Sequence, residues 1–338
     1  MTNINIAING LGRIGKLLLR ELMDRDMNVS LVNEVKGDAA INSKLIEHDS
    51  VHGNWKRNIG VNKNIITIDK KNINFSNESN IETMNLKNID LIIDCTGKNN
   101  NYKSLIKYLS SGAKKVLVSA PVKDKNILNL VYGVNHKLYD KNKHSIVTGA
   151  SCTTNCLAPI VKVVHENLHI IRGSMTTIHN VTNSQTIIDK PSNDLRRSRS
   201  SMTNLIPTTT GSAKAINLIY PELEGRLNGH AVRVPIINAS LTDCVFEVKE
   251  KTTKEDLNKL FKLYSENQLS GILGYEEKLL VSSDYVNDPR SSIIDADSTM
   301  VVDNKHVKIF SWYDNEFGYV NRLADLTQMI GKSIWQAT

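Results

Sequence analysis

Ile4-Asn5-Ile6-Ala7-Ile8-Asn9-Gly10-Leu11-Gly12-Arg13-Ile14-Gly15 is the stretch that decides the fold. Residues 4–8 alternate like a strand, a helical run follows from Lys16 to Met23, and Val29 to Asn33 reads as the next strand. A strand, a glycine loop, a helix and a second strand within about thirty residues form the unit that cradles dinucleotides. Gly10 permits the tight turn, Gly12 lets the backbone approach a pyrophosphate, and Gly15 lets helix and strand pack closely. Glu34, at the end of the second strand, is placed to accept from a ribose hydroxyl.

The same alternation continues outward. Ile89 to Asp94 predicts a buried strand ending in Cys95-Thr96-Gly97. Tyr102 to Leu109 predicts a helix, and Val116 to Val118 a strand ending at Ser119. Asn129 to Val134 and Ser145 to Thr148 predict further strands, with short surface strands or a hairpin between Asn58 and Asn88. Ligands of doubly wound sheets sit at the carboxyl ends of the strands, which makes Thr96, Gly97 and Ser119 cofactor-edge candidates. Past Cys152 the pattern changes to longer alternating strands: Ser174 to Val181, Ala231 to Pro235, Ser240 to Lys249 and Val307 to Trp312. A helix is expected over Glu255 to Glu266. The expected fold is α/β: a Rossmann-type dinucleotide-binding domain over 1–151 and an α+β catalytic domain with a mixed or antiparallel sheet over 152–315. A last helix, Tyr319 to Ile330, is expected to close the chain.

Composition narrows the function. At 338 residues, two domains are the natural expectation. The formal charge of +7 suits anionic ligands, and because Lys and Arg are spread along the chain it weighs against a nucleic-acid role. Four cysteines (Cys95, Cys152, Cys156, Cys244) do not make a disulfide framework, and no run of about 20 apolar residues occurs. With no leader pattern, a cytoplasmic, reducing setting is expected. Without Cys-x-x-Cys or a histidine cluster, no metal is expected. Cys95, Cys156 and Cys244 read as packed residues.

The chemistry-bearing stretch is Ala150-Ser151-Cys152-Thr153-Thr154-Asn155-Cys156, just ahead of an apolar helical run from Leu157 to Val164. A thiol at a helix N-terminus is expected to be acidified by the backbone dipole, and the first-turn N–H groups can hold an oxyanion. His179, 27 positions on, ends a β-branched run and can serve as its partner base. With a dinucleotide site upstream, thiol and base suit oxidation of an aldehyde through a thiohemiacetal and a thioester. The hydroxyls of Ser151, Thr153, Thr182, Thr208, Thr209 and Thr210, the backbone at Gly211, and Arg197 and Arg233 can together bind phosphate. Arg233 stands between Val232 and Val234, where an unpaired charge is costly and an anionic ligand explains it.

These residues closely resemble the phosphorylating glyceraldehyde-3-phosphate dehydrogenase family. Further matching segments are Asp49-Ser50-Val51-His52-Gly53, Pro207 to Ala215, Gly229 to Pro235 and Trp312-Tyr313-Asp314-Asn315-Glu316-Phe317-Gly318-Tyr319. The resemblance implies Cys152 as nucleophile and His179 as its activator and general base. It implies Thr182 and Arg233 at the substrate phosphate, with Ser151, Thr153, Thr210, Gly211 and Arg197 around the attacking phosphate. It places NAD against Gly10, Gly12, Arg13, Ile14, Gly15, Glu34, Thr96, Gly97, Ser119 and Asn315. It implies a homotetramer in which the Thr186 to Ser201 loop reaches a neighbour's cofactor, and a final helix within 316–338 that packs back on the first domain.

Four departures from the family pattern stand out. Glu34 replaces the usual Asp and still favours a free ribose hydroxyl. Lys190 is unusual in the loop facing the adenosine ribose and keeps NADP as the alternative cofactor. Ser184 replaces a common Asp near the substrate phosphate. Asn77-Glu78 stand where an Arg often meets the adenine. Glu34 also resembles the erythrose-4-phosphate dehydrogenase branch. The stretches Asn33 to Ala40, Gly271 to Glu277 and Ser298 to Val302 resemble the subgroup associated with arsenate resistance, in which arsenate replaces phosphate as the attacking anion.

Overall fold

A computed structural model describes residues 4–335. The chain divides into two compact units, Met1–Ser151 with Val320–Thr338, and Cys152–Tyr319. The outermost residues of the expected spans, 1–3 and 336–338, lie outside the described residues.

The first unit carries strands β1 (Ile6–Asn9), β2 (Val29–Asn33), β3 (Ile59–Asn62), β4 (Ile65–Ile68), β5 (Lys71–Ser76), β6 (Leu91–Asp94), β7 (Lys115–Val118), β8 (Leu128–Asn129) and β9 (Ile146–Thr148). Among the described residues they form one sheet in the order β3-β4-β5-β2-β1-β6-β7-β9-β8. Strands β5-β2-β1-β6-β7-β9-β8 run parallel, and β3, β4 and β5 pair antiparallel at one end. Strands β1, β6, β7 and β9 are buried on both faces, so they read as apolar runs. Helices α1 (Arg13–Asp24), α2 (Ala39–Glu47) and α3 (Tyr102–Ser110) connect them.

The glycine loop works by backbone contact. Gly10 has φ +95°, and a Cβ on Gly15 would lie 1.8 Å from the Gly10 carbonyl oxygen, so the helix start can sit on the loop only without a side chain there. The strand expected over Asn129 to Val134 shrinks to Leu128–Asn129. The Asn129 side chain bonds Val122 and Thr148, and Asn135 Oδ1 takes the Val131 N–H, so side chains replace the ladder and the chain turns.

The second unit carries β10 (Ile170–His179), β11 (Ile206–Thr209), β12 (Leu227–Arg233), β13 (Ser240–Val248), β14 (Leu273–Glu276), β15 (Ser292–Asp295), β16 (Met300–Val302) and β17 (His306–Tyr313). Its helices are α4 (Cys152–Leu168), the single turn α5 (Ser212–Ala215) and α6 (Lys254–Glu266). Its sheet runs β11-β12-β10-β13-β17-β15-β14, with β16 on β17. Two pairs, β10–β12 and β14–β15, are parallel and the rest antiparallel, so the sheet is mixed. The buried face of α4 packs on this sheet, with Leu157, Ile160, Val161 and Val164 inaccessible to solvent. The last helix, α7 (Phe317–Trp335), is grouped from Val320 onward with the first unit. There Asp325 and Asn321 accept from the Arg25 guanidinium at 2.6 and 2.9 Å.

Candidate active site

The backbone turns into the left-handed region at Ala150 (φ 54°), whose N–H bonds Thr148 Oγ1 at 3.0 Å, and α4 starts two residues later at Cys152. That start leaves the Cys152 sulfur 3.8 Å from Nε2 of His179, the last residue of β10. Beneath them a hydroxyl chain joins helix to sheet. Tyr313 OH lies 3.0 Å from Thr153 Oγ1 and 2.8 Å from Thr177 Oγ1, and the Tyr313 ring meets the His179 ring edge-on at 6.1 Å. The Thr153 hydroxyl is therefore committed below the sulfur, 4.0 Å from it, in a 5% exposed side chain.

His179 Nδ1 lies 2.9 Å from the Asn180 carbonyl oxygen and 2.6 Å from Arg233 Nη1. Arg233 ends β12 in parallel register with His179, which explains why the two side chains meet. Burial, reinforced by the Arg233 charge, pushes the imidazole down to about 3. The expected acidified thiol is not found in this state. Burial pushes the Cys152 thiol up, against the opposing pull of Arg233 and of the Thr153 and Cys152 N–H groups, so thiol and imidazole both rest neutral. Arg233 is itself destabilised, by burial first and also by the charge of Arg197, and its buried Nε has no hydrogen-bond partner among the described residues. A buried guanidinium with an unpartnered Nε, under the repulsion of a second guanidinium, suits an anion.

Arg197 reaches Ser184 Oγ at 2.7 Å and Asp194 Oδ2 at 3.2 Å, and Ser184 Oγ lies 2.9 Å from Thr182 Oγ1. Arg197 and Thr182 are thus brought together through Ser184 and Gln185. Thr210 Oγ1 bonds Ser212 Oγ, Gly211 opens α5, and the residue of β11 opposite Arg233 is Ile206. Asn315, also in this unit, accepts from Ser240 Oγ at 3.1 Å. Cys156 lies one turn beyond Cys152, sealed among the hydroxyls of Thr242, Ser292 and Ser311 at 3.6–3.9 Å, and burial pushes its thiol up to about 11.

In the first unit a cavity of about 360 Å³ is lined by Gly10, Gly12, Glu34, Thr96 and the lysines Lys36 and Lys98, among others. No side chain caps α1 at Gly12, and a Cβ built there would meet open space. An uncapped helix start facing a cavity, with an acid at its rim, fits a dinucleotide. Glu34 accepts from the Leu11 and Lys36 N–H groups at 2.8 and 3.0 Å. Cys95 lines the cavity as well, half-buried and not in the core as expected, with its thiol pushed up to about 12 by burial.

Arg13 is held by Asp49 at 2.5 and 3.1 Å, and Lys16 reaches the same carboxylate at 2.7 Å. These bonds hold Asp49 far below the usual carboxylate range despite its burial. Thr96 turns its N–H and hydroxyl onto Asp94 (2.8 and 2.7 Å), Gly97 takes φ +67°, and the Ser119 N–H bonds the Asp94 carbonyl at 2.9 Å. Ile14 is half-buried in the first turn of α1 and, like Gly15, is not a lining residue. Sequence reasoning missed the buried network behind this edge, in which Asp94, Tyr108, Asn9 and Asn33 bond in series. It also missed Asp49, whose signal was the turn Asp49 to Gly53, where the carboxylate takes the Val51 and His52 N–H groups. No cluster of three metal-ligating side chains, and no helix long and apolar enough to cross a membrane, occurs among the described residues.

Residues 151–315 match the model of the glyceraldehyde 3-phosphate dehydrogenase C-terminal domain, and residues 4–102 match that family's NAD binding domain. The chain belongs to the glyceraldehyde 3-phosphate dehydrogenase family. It is 52% identical over 335 residues to glyceraldehyde-3-phosphate dehydrogenase 3 of Nostoc sp., covering 98% of this chain and 99% of that protein. It is 46% identical to the glyceraldehyde-3-phosphate dehydrogenase of Geobacillus stearothermophilus, covering 97% and 98%. Glyceraldehyde-3-phosphate dehydrogenase 1 of Bacillus subtilis is 43% identical with the same coverage. The first unit therefore contains the family's NAD-binding domain.

Proposed function

We propose that this enzyme oxidises D-glyceraldehyde 3-phosphate with NAD and inorganic phosphate to 1,3-bisphosphoglycerate. The observation that carries the mechanism is the Cys152 sulfur 3.8 Å from His179 Nε2, with Arg233 against the far side of the imidazole. The Cys152 sulfur passes its proton to His179 Nε2 and adds to the aldehyde carbon, and the imidazolium returns that proton to the oxyanion, steadied meanwhile by the Cys152 N–H, to give the thiohemiacetal hydroxyl. His179 takes the hydroxyl proton of the thiohemiacetal as hydride departs, leaving a thioester on Cys152. NAD, when bound, supplies the hydride acceptor. An oxygen of inorganic phosphate attacks the thioester carbonyl, the carbon–sulfur bond breaks, and the acyl phosphate leaves with the thiolate restored.

Thr182 and Arg233 are assigned to the substrate phosphate. Ser151, Thr153, Thr210, Gly211 and Arg197 are assigned to the attacking phosphate. Gly10, Gly12, Arg13, Ile14, Gly15, Glu34, Thr96, Gly97, Ser119 and Asn315 are assigned to NAD. The test is a steady-state assay crossing glyceraldehyde 3-phosphate with erythrose 4-phosphate, NAD with NADP, and phosphate with arsenate. Glyceraldehyde 3-phosphate, NAD and phosphate should give the highest kcat/KM. Glu34→Ser should move the NAD/NADP ratio toward NADP by about a hundredfold, because a carboxylate opposite a 2′-phosphate costs a few kcal/mol. Equal use of both cofactors by the unaltered enzyme would remove Glu34 from this role.

We further assign a homotetramer in the cytoplasm. Ile187, Ile188, Leu195, Met202 and Leu205 are 63–85% exposed along one loop, an apolar surface that a second copy of the chain would cover. All four cysteines are unpaired, which suits a reducing compartment. Sedimentation should give about four times the 37.8 kDa chain mass. Leu195→Asp should shift it toward smaller species, and a monomeric parent enzyme would reject the assignment.

A further inference from the structure

The hydroxyls of the turn after β10 form a chain whose direction can be worked out donor by donor. Ser184 Oγ receives a hydrogen bond from Arg197 Nη1 at 2.7 Å and one from Gln185 Nε2 at 2.9 Å. Both of its lone pairs are then used, so its single O–H must point to Thr182 Oγ1, 2.9 Å away. Thr182 in turn gives its own O–H to Gln185 Oε1 at 3.0 Å, the oxygen that also takes the Thr182 N–H at 2.9 Å. Charge on Arg197 therefore polarises Ser184, and Ser184 polarises the Thr182 hydroxyl. Chains of this kind strengthen when one end is ionised.

We propose that Ser184 is a positioning residue that relays the charge of Arg197 to the Thr182 hydroxyl, so that a phosphate ester meeting Thr182 is gripped by both. The proposal rests on the assignment of Thr182 to the substrate phosphate. When that phosphate arrives, the Thr182 O–H turns from Gln185 to a phosphate oxygen while still accepting from Ser184. Only a residue that donates and accepts at once can hold this position in the chain. An aspartate in its place would accept from both neighbours. It would draw the Thr182 O–H inward and neutralise Arg197, whose present carboxylate partner is the exposed Asp194 at 3.2 Å. Serine leaves the guanidinium charge available and aims the threonine outward. It thereby joins two residues that the family resemblance assigns to different phosphates.

The experiment compares D-glyceraldehyde 3-phosphate with unphosphorylated D-glyceraldehyde, each with NAD and inorganic phosphate, in the parent enzyme and in Ser184→Ala, Ser184→Asp and Ser184→Thr. Ser184→Ala should raise KM for the phosphorylated aldehyde about tenfold with kcat within about twofold, the loss of one charge-assisted hydrogen bond. Ser184→Asp should raise it further, and Ser184→Thr should restore it. With unphosphorylated glyceraldehyde at saturating inorganic phosphate, kcat/KM should vary among the four proteins far less than with the phosphorylated aldehyde. A Ser184→Ala variant that loses activity equally on both aldehydes would show a merely structural role and overturn the relay. One that matches the parent on both would overturn it as well. A parent enzyme that does not discriminate between the two aldehydes would refute the phosphate-site assignment itself, and the relay with it.

Discussion

Cys152→Ser is expected to lower kcat by about 10⁴-fold or more, roughly 5 kcal/mol of barrier, while NAD binding stays at its parent value. The size follows from the nucleophile. A serine hydroxyl is far less acidic than a thiol, so beside the same imidazole it stays protonated, and a neutral alcohol is a much weaker nucleophile toward the carbonyl than sulfur. The residues assigned to NAD lie almost entirely in the other unit, which the substitution leaves untouched. Turnover and a cofactor titration on the same protein check both halves, and near-normal turnover would remove covalent catalysis from the mechanism.

His179→Asn is expected to cost about 10³-fold in kcat, within the range of a lost general base, and to slow iodoacetamide alkylation of Cys152 at neutral pH about tenfold. Burial raises the thiol, so its reactivity depends on a nearby group that can receive the proton, and Nε2 is 3.8 Å from the sulfur. Asparagine fills similar space but holds no proton. The readouts separate two duties: alkylation reports thiol activation, and kcat reports proton removal during hydride departure. An alkylation rate equal to that of the parent would leave His179 with the second duty alone.

Much of this arrangement was legible in the sequence where chemistry is local. The glycine loop declared its turn, helix start and acidic partner within about thirty residues, because each role needs a specific residue type at a fixed offset. Cys152 and His179 were legible because a nucleophile at a helix start and a base at a strand end are local features. Helix α2 was not, since Ala39–Glu47 mixes polar and apolar residues without a clear period and depends on Asp38, whose side chain accepts the Ile41 N–H.

Partnerships across the chain were hidden. Nothing in the sequence shows that Arg13 would be claimed by Asp49, that Thr153 would bond Tyr313, or that Arg197 would meet Ser184 thirteen residues away. The acidity of Cys152 was misjudged for a related reason. The helix start argues for a lowered value, but burial depends on what packs over the sulfur, and burial prevails.

Tyr313 ties Thr153 on α4 to Thr177 on β10 through neutral hydroxyls. The gap between sulfur and imidazole is therefore held by scaffolding whose bonds are indifferent to protonation. Blunted enzymes, whether serine-substituted or capped on sulfur, should keep the unaltered contour of the cleft. They can serve as faithful moulds in which an intact aldehyde is caught and imaged before any bond changes.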